Sequence, residues 1–140
     1  MKVTTNATWK QGMEFDGTGW SGHTVAMDAG EEFGGKDRAA RPFELVLVGL
    51  CGCTGMDVVS LLRKMRVDFA ALDLAVEAEK SEEQPHVFTE INLTYIVRGN
   101  DIDEEKLKKA IELSMNRYCS VTAMLRKACP VNWTYRMEKV

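Results

Sequence analysis

The run from Arg41 to Arg66, RPFELVLVGLCGCTGMDVVSLLRKMR, is the longest apolar stretch of the chain, and it constrains the fold more than any other. Its ends are marked. Pro42 suits a first helical position, where its missing N–H costs nothing, and Glu44 suits the positive end of a helix dipole. Arg63, Lys64 and Arg66 suit the negative end. Between them Leu45, Val48, Met56, Val59, Leu62 and Met65 recur at helical spacing. Apolar residues fill most other positions, so a helix buried nearly all round is expected. The glycines and flanking charges argue against a membrane span of about 20 residues. Gly49, Gly52 and Gly55 lie on nearly one face, and each costs about 1 kcal/mol relative to alanine. They suit tight helix packing, or space cleared beside Cys53 for a substrate, or both.

Around this helix the chain of 140 residues reads as a single domain over 1–140. Val3, Thr5, Ala7 and Trp9 alternate as a strand. Met13 to Phe15 forms a second strand, Asp16 to Gly19 a turn, and Trp20 to Met27 a third strand carrying a partly exposed His23. Asp28 to Ala40 has the polar, glycine-rich composition of a mobile loop. After the helix, Leu72 to Ala78 and Phe88 to Arg98 read as a hairpin, the second strand showing Ile91, Leu93, Tyr95 and Val97 on one face. Asp101 or Asp103 caps a helix from Glu104 to about Arg117, whose inner face carries Leu107, Ala110, Ile111 and Ser114. A short helix follows from Val121 to Ala128, and Val131 to Met137 is the last strand. The order predicts an α+β fold, with antiparallel sheets packed on a long buried central helix. One thin sheet covers only one side of that helix, and a second copy of the chain is the natural cover for the other.

Mixed charges with a net value of −3 point away from nucleic acid and from an anionic membrane surface. The N-terminal MKVTTNATWK has no apolar signal run, so a cytoplasmic protein is expected. Four cysteines in such a setting are more often free, catalytic or metal-bound than bridged. Cys119 sits at a helix start, which favours a thiolate. Cys53 lies about three turns into its helix, beyond the reach of the terminal dipole, with Asp57 one turn on. It fits a small buried hydrophobe as well as a thiol activated by an arginine or a hydrogen bond. Arg38 and Arg41, the first arginines of the chain, read either as solvated charge or as a cation leaning over a cysteine. Cys51 and Cys53 point about 160° to 200° apart on a helix and cannot share one metal, which disfavours a zinc site. Cys129, before Pro130 at a helix exit, reads as buried structure.

The central helix resembles that of the OsmC/Ohr family of osmotically induced and organic-hydroperoxide-resistance proteins. The resemblance is carried by Pro42, Glu44, Leu45, Gly52, Cys53 and Met56, by Cys119-Ser120-Val121 opening a later helix, and by the element order along nearly the whole chain. It is nearest to the branch with GGCTGMDV-type helices. The resemblance implies an intertwined homodimer that reduces organic hydroperoxides without a cofactor. Cys53 would be the peroxidatic and Cys119 the resolving thiol, and a dithiol such as a dihydrolipoyl group the reductant. It also makes Arg38, Arg41 and Glu44 candidate activating residues. Two departures stand out. Phe43 follows Pro42 where hydroperoxide-resistance members carry a glutamate that orients an N-terminal arginine, and Ser120 follows Cys119 where proline is usual. The alternative reading is a non-catalytic redox-sensing or small-molecule-binding protein on the same fold.

Overall fold

A computed structural model describes all 140 residues. The chain divides into two compact units, residues 1–47 and 48–140.

The first unit is a three-stranded antiparallel sheet of β1 (Asn6–Gln11), β2 (Glu14–Thr18) and β3 (Thr24–Met27), in that order. The expected turn at Asp16 lies instead within β2, and the chain reverses at Gly19 to Gly22, where the Gly22 N–H donates to the Gly19 carbonyl at 3.0 Å. That shift shortens the third strand and leaves His23 exposed just before it, beside the Ser21 hydroxyl at 3.1 Å. The register places Trp9 opposite Phe15 and Phe15 opposite Met27, with Ala7, Gly17 and Val25 in line beside them. These six residues share one apolar face, and Asn6, Thr8, Asp16, Thr18 and Thr24 share the other.

The expected mobile loop after β3 is organised. The Asp28 side chain is 2% exposed and accepts from the backbone N–H groups of Ala29, Lys36 and Arg38, at 2.8, 3.2 and 3.1 Å. These bonds, that from Ala29 foremost, hold its carboxyl below the usual carboxylate range. A 3₁₀ turn at Glu31–Phe33 lies within the loop. Gly35 is obligatory here, because a Cβ would fall 2.0 Å from the Ala29 carbonyl oxygen.

Helix α1 spans Glu44–Lys64. Pro42 and Phe43 open it as expected, their carbonyls accepting from the N–H groups of Leu45 and Val46 at 3.2 Å each. Its exit is a Schellman turn in which Val67 N–H donates to the Leu62 carbonyl at 2.9 Å and Arg66 takes the left-handed position, φ 61°. The residues α1 buries are Leu50, Thr54, Val58 and Leu62, a stripe every fourth position. Of the six residues noted at helical spacing only Leu62 is buried within the single chain, and Val48 and Met56 are exposed. A helix apolar on nearly every face carries no periodic signal to select one. By length and composition α1 would also pass as a membrane span, against expectation. Its buried stripe packs instead into the second unit: the Thr54 hydroxyl bonds Tyr95 and Ser114, and a Cβ at Gly55 would lie 3.3 Å from Leu74. Gly49 and Gly52 face open space within the single chain.

The second sheet has the order β4 (Ala71–Lys80), β5 (Phe88–Arg98), β6 (Val131–Glu138). β4 and β5 form the expected antiparallel hairpin. β6 pairs parallel to β5, from Ile91 with Val131 to Arg98 with Glu138, so the sheet is mixed rather than antiparallel throughout. The intervening helices supply the long crossover that a parallel return needs. Ile91, Leu93, Tyr95 and Val97 are all buried, as their alternation predicts. Helix α2 (Glu104–Leu113) is capped by Asp103, whose carboxylate accepts from Lys106 N–H at 3.2 Å, and it buries Leu107, Ala110 and Ile111. It runs into a π-turn, Ser114–Tyr118, closed by Cys119 N–H donating to the Ser114 carbonyl at 2.8 Å. Helix α3 (Ser120–Leu125) starts directly after Cys119.

Candidate active site

Cys53 and Cys119 meet. Cys53 is half-buried on α1, one residue before the fully buried Thr54 that fixes the helix to the core. Cys119, 3% exposed, is the N-cap of α3, and its sulfur accepts from Thr122 N–H at 3.4 Å. The Cys53 side chain is close enough to Cys119 to act on its thiol, and both are free thiols. The remaining cysteines lie outside this pair. Cys51 is half-buried, and burial pushes its thiol up. Cys129 is buried where α3 unwinds, its N–H bonded to the Leu125 carbonyl at 3.1 Å.

The electrostatics of Cys119 differ from the expectation of a helix-start thiolate. Burial comes first and pushes its thiol up. The hydrogen bonds from Thr122 pull the other way, and the Cys53 neighbour adds to the rise. A helix of six residues has little dipole to offer, and desolvation outweighs it.

Beside the thiols runs a chain of polar groups that sequence reading left without a role. The Tyr95 hydroxyl lies 2.7 Å from Thr54 Oγ1, Thr54 Oγ1 lies 2.8 Å from Ser114 Oγ, and Ser114 Oγ donates to Asp57 Oδ2 at 2.9 Å. Tyr95, Thr54 and Ser114 are all completely buried. Burial raises the Tyr95 phenol to about 12, against the opposing bond from Thr54, with Cys119 and Asp57 contributing further. One signal in the sequence pointed here: Ser114 is a polar residue in a helix-face position otherwise filled by Leu107, Ala110 and Ile111.

The other candidates lie in the first unit. Glu44 Oε1 accepts from the Arg41 backbone N–H at 2.9 Å, half of a capping box at the start of α1. The Arg41 guanidinium donates to Asp37 at 2.6 Å and to the Ala39 carbonyl at 3.1 Å, and Asp37 holds its pKa above the ordinary value. Arg38 contributes its backbone N–H to Asp28. Among the five candidates the structure therefore joins Cys53 with Cys119 and Arg41 with Glu44. No group of three or more His, Cys, Asp or Glu side chains is placed to hold a metal ion.

Comparison with known proteins agrees with this architecture. The chain is 39% identical over 129 residues to Protein YhfA of Escherichia coli K12, a match covering 92% of this chain and 93% of that protein. A solved hypothetical protein from Aquifex aeolicus superposes with a TM-score of 0.81 at 24% identity, covering 99% of this chain and 98% of the other. The organic hydroperoxide resistance protein OhrB of Bacillus subtilis superposes with a TM-score of 0.61 at 17% identity, covering 97% and 98% of the two chains. These two structures show a shared fold. Residues 34–134 match the family model described as OsmC-like protein, and with the relationship to YhfA this makes the chain a member of the OsmC-like protein family.

Proposed function

We propose that this chain is a thiol peroxidase for organic hydroperoxides, with Cys53 as the peroxidatic and Cys119 as the resolving cysteine. The observation that carries the reading is the nearness of two free thiols of unequal exposure, Cys53 half-buried and Cys119 buried. The more accessible sulfur suits the peroxide, and the protected one suits the second step. The Cys53 thiolate attacks the distal oxygen of ROOH, and the O–O bond breaks. ROH leaves after taking one proton, and Cys53 becomes a sulfenic acid. Cys119 then attacks that sulfur, the S–O bond breaks, and water leaves carrying the Cys119 proton. The resulting Cys53–Cys119 disulfide returns to two thiols by exchange with a dithiol of the dihydrolipoyl type, which is itself oxidised.

Within this reading Arg38 or Arg41, from the same chain or a partner copy, leans over Cys53 as its cation. Glu44 anchors the Arg41 backbone at the start of α1. The working form is a cytoplasmic homodimer. Support for the second copy is the apolar face of β1–β3, where Trp9, Phe15 and Val25 are 61%, 40% and 48% exposed, and the open space beside Gly49 and Gly52. The run Gly52-Cys53-Thr54-Gly55-Met56-Asp57-Val58 supports a resemblance to the GGCTGMDV-type members, with Cys51 in place of the first glycine. A redox-sensing role on the same fold has one observation in its favour. Phe43 stands in the position of the usual orienting glutamate, so turnover would be slow.

Steady-state turnover of cumene hydroperoxide with a dithiol reductant separates the two, together with mapping of bridges after one equivalent of peroxide. Peroxidase action gives turnover, a Cys53–Cys119 disulfide, and a Cys53 sulfenic acid that accumulates in Cys119→Ser. Oxidised protein bridged through Cys51 or Cys129, or Cys53 remaining a thiol, overturns it.

A further inference from the structure

The buried hydroxyl chain has a direction. A carboxylate accepts only, so Asp57 accepts the hydrogen bond that the Ser114 hydroxyl donates at 2.9 Å. Ser114 must then accept from Thr54, and Thr54 from Tyr95. The Tyr95 phenol, kept protonated by burial, is a donor throughout the physiological range. One ordered path thus joins β5, α1 and the start of the π-turn, and every buried side-chain polar atom in the molecule has a partner.

Stability alone gives a weak reason for such a path. Replacing paired buried polar groups by apolar groups of like shape is often nearly neutral, whereas a directional network fixes one register among several. Register matters at this point. Ser114 opens the π-turn, and Cys119 closes it by bonding the Ser114 carbonyl. Thr54 is adjacent in sequence to Cys53. The Thr54–Ser114 bond therefore connects the neighbour of one thiol to the segment that aims the other. The turn is braced from its far side by Arg126, which donates to the Met115 carbonyl at 2.8 Å and to the Asn116 side chain at 3.0 Å. π-turns persist where surrounding contacts hold them, and they recur at functional sites.

We propose that Thr54, Ser114 and Asp57 are positioning residues of the thiol pair, whose hydrogen-bonded chain holds the π-turn against α1 so that Cys119 stays docked on Cys53. The proposal rests on the pairing of these two cysteines described above, and its test does not require peroxide. Equilibrate the full chain with glutathione and its disulfide. Two protein thiols and one oxidised glutathione give the Cys53–Cys119 bridge and two reduced glutathiones, so the ratio at half-oxidation reads the effective concentration of one thiol at the other. Thr54→Val and Ser114→Ala, with far-UV circular dichroism confirming the fold, should lower it at least about tenfold, close to 1.4 kcal/mol. Thr54→Ser should restore it, and Asp57→Asn, which keeps an accepting oxygen, should lose less than Ser114→Ala. Leu62→Ala, a core truncation remote from the chain, should lower the melting temperature and leave the ratio within about twofold. Unchanged ratios in Thr54→Val and Ser114→Ala overturn the proposal, as does an equal fall in Leu62→Ala. A wild type that bridges in this buffer but leaves cumene hydroperoxide untouched sinks the peroxidase reading and leaves the positioning role standing.

Discussion

Residues 48–140 supply every buried hydrophobic side chain of the molecule, from Leu50 to Val131, whereas residues 1–47 supply none. The larger unit builds a core from one stripe of α1, one face of β5 and the inner face of α2, knotted by the Tyr95–Thr54–Ser114–Asp57 chain. The smaller unit is as clearly patterned, with its apolar residues in register across three strands, yet Trp9 is 61% exposed and Phe15 40%. Alternation in a strand says that one face is meant to be covered and leaves open what covers it. In β5 the cover is the chain's own helices. For β1–β3 a second copy is the cover proposed above.

The largest expected effect tests that contrast directly. Leu50→Ala should cost about 2–5 kcal/mol of unfolding free energy, the range for truncating a closed core site, and the cost should not vary with protein concentration. Trp9→Ala should cost about 2 kcal/mol where copies associate, as a central interface aromatic does, and less than about 0.5 kcal/mol where they do not. Urea denaturation over a hundredfold range of concentration, paired with sedimentation, reads both. A small Trp9→Ala cost at every concentration, in a protein that sediments as a monomer, breaks the proposed explanation for the bare sheet.

An intermediate effect sharpens what the core of the larger unit depends on. Burial penalises the Tyr95 anion and pushes the phenol up to about 12 in the folded chain, against about 10 for a free tyrosine. A folded pKa raised above the unfolded one gives stability that is full below pH 10 and is lost as pH rises toward 12. The urea midpoint of the wild type should fall between pH 9 and pH 11 by more than that of Tyr95→Phe. Equal falls would mean that other groups carry the alkaline loss. At neutral pH Tyr95→Phe should cost only about 1 kcal/mol, one neutral hydrogen bond.

The smallest effect concerns how each unit turns its chain. Gly12, Gly22 and Gly34 take positive φ in the first unit, with Asp37 the exception, whereas in the second Arg66 takes it at the exit of α1. A side chain in the left-handed region costs about 1 kcal/mol. Part of that returns as unfolded-state entropy when glycine is introduced. Arg66→Gly should therefore stabilise by about 0.5 kcal/mol. A loss of stability in thermal melts would show that Arg66 has partners which outweigh its backbone.

Local chemistry made some of this legible in advance. The Pro42 start, the Asp103 cap, the β5 alternation and Cys119 as an N-cap all follow from neighbours within a few residues. The face that α1 buries did not follow, since nearly all of its faces are apolar. Nor did the parallel pairing of β6, which depends on where a two-helix crossover returns. The Asp28 carboxylate looked like loop polarity because the three amides it collects are spread over Ala29, Lys36 and Arg38. At the site, the two cysteines were identifiable as residues. The sign of the Cys119 shift was not, because a cap is visible in sequence and depth of burial is not.

The π-turn also sets an angle. A regular helix advances about 100° per residue, and a turn closed one residue wider delays everything after it by roughly that amount. Cys119 is thus aimed by a phase offset as much as by its position in the sequence. A chain with the same cysteine after an unbroken helix would present the same motif to an alignment and point its sulfur about a quarter-turn away. The turn acts as a vernier between α2 and the thiol, and a single-residue insertion after Ser114 within the turn would change its setting while leaving both cysteines and Ser114 in the chain.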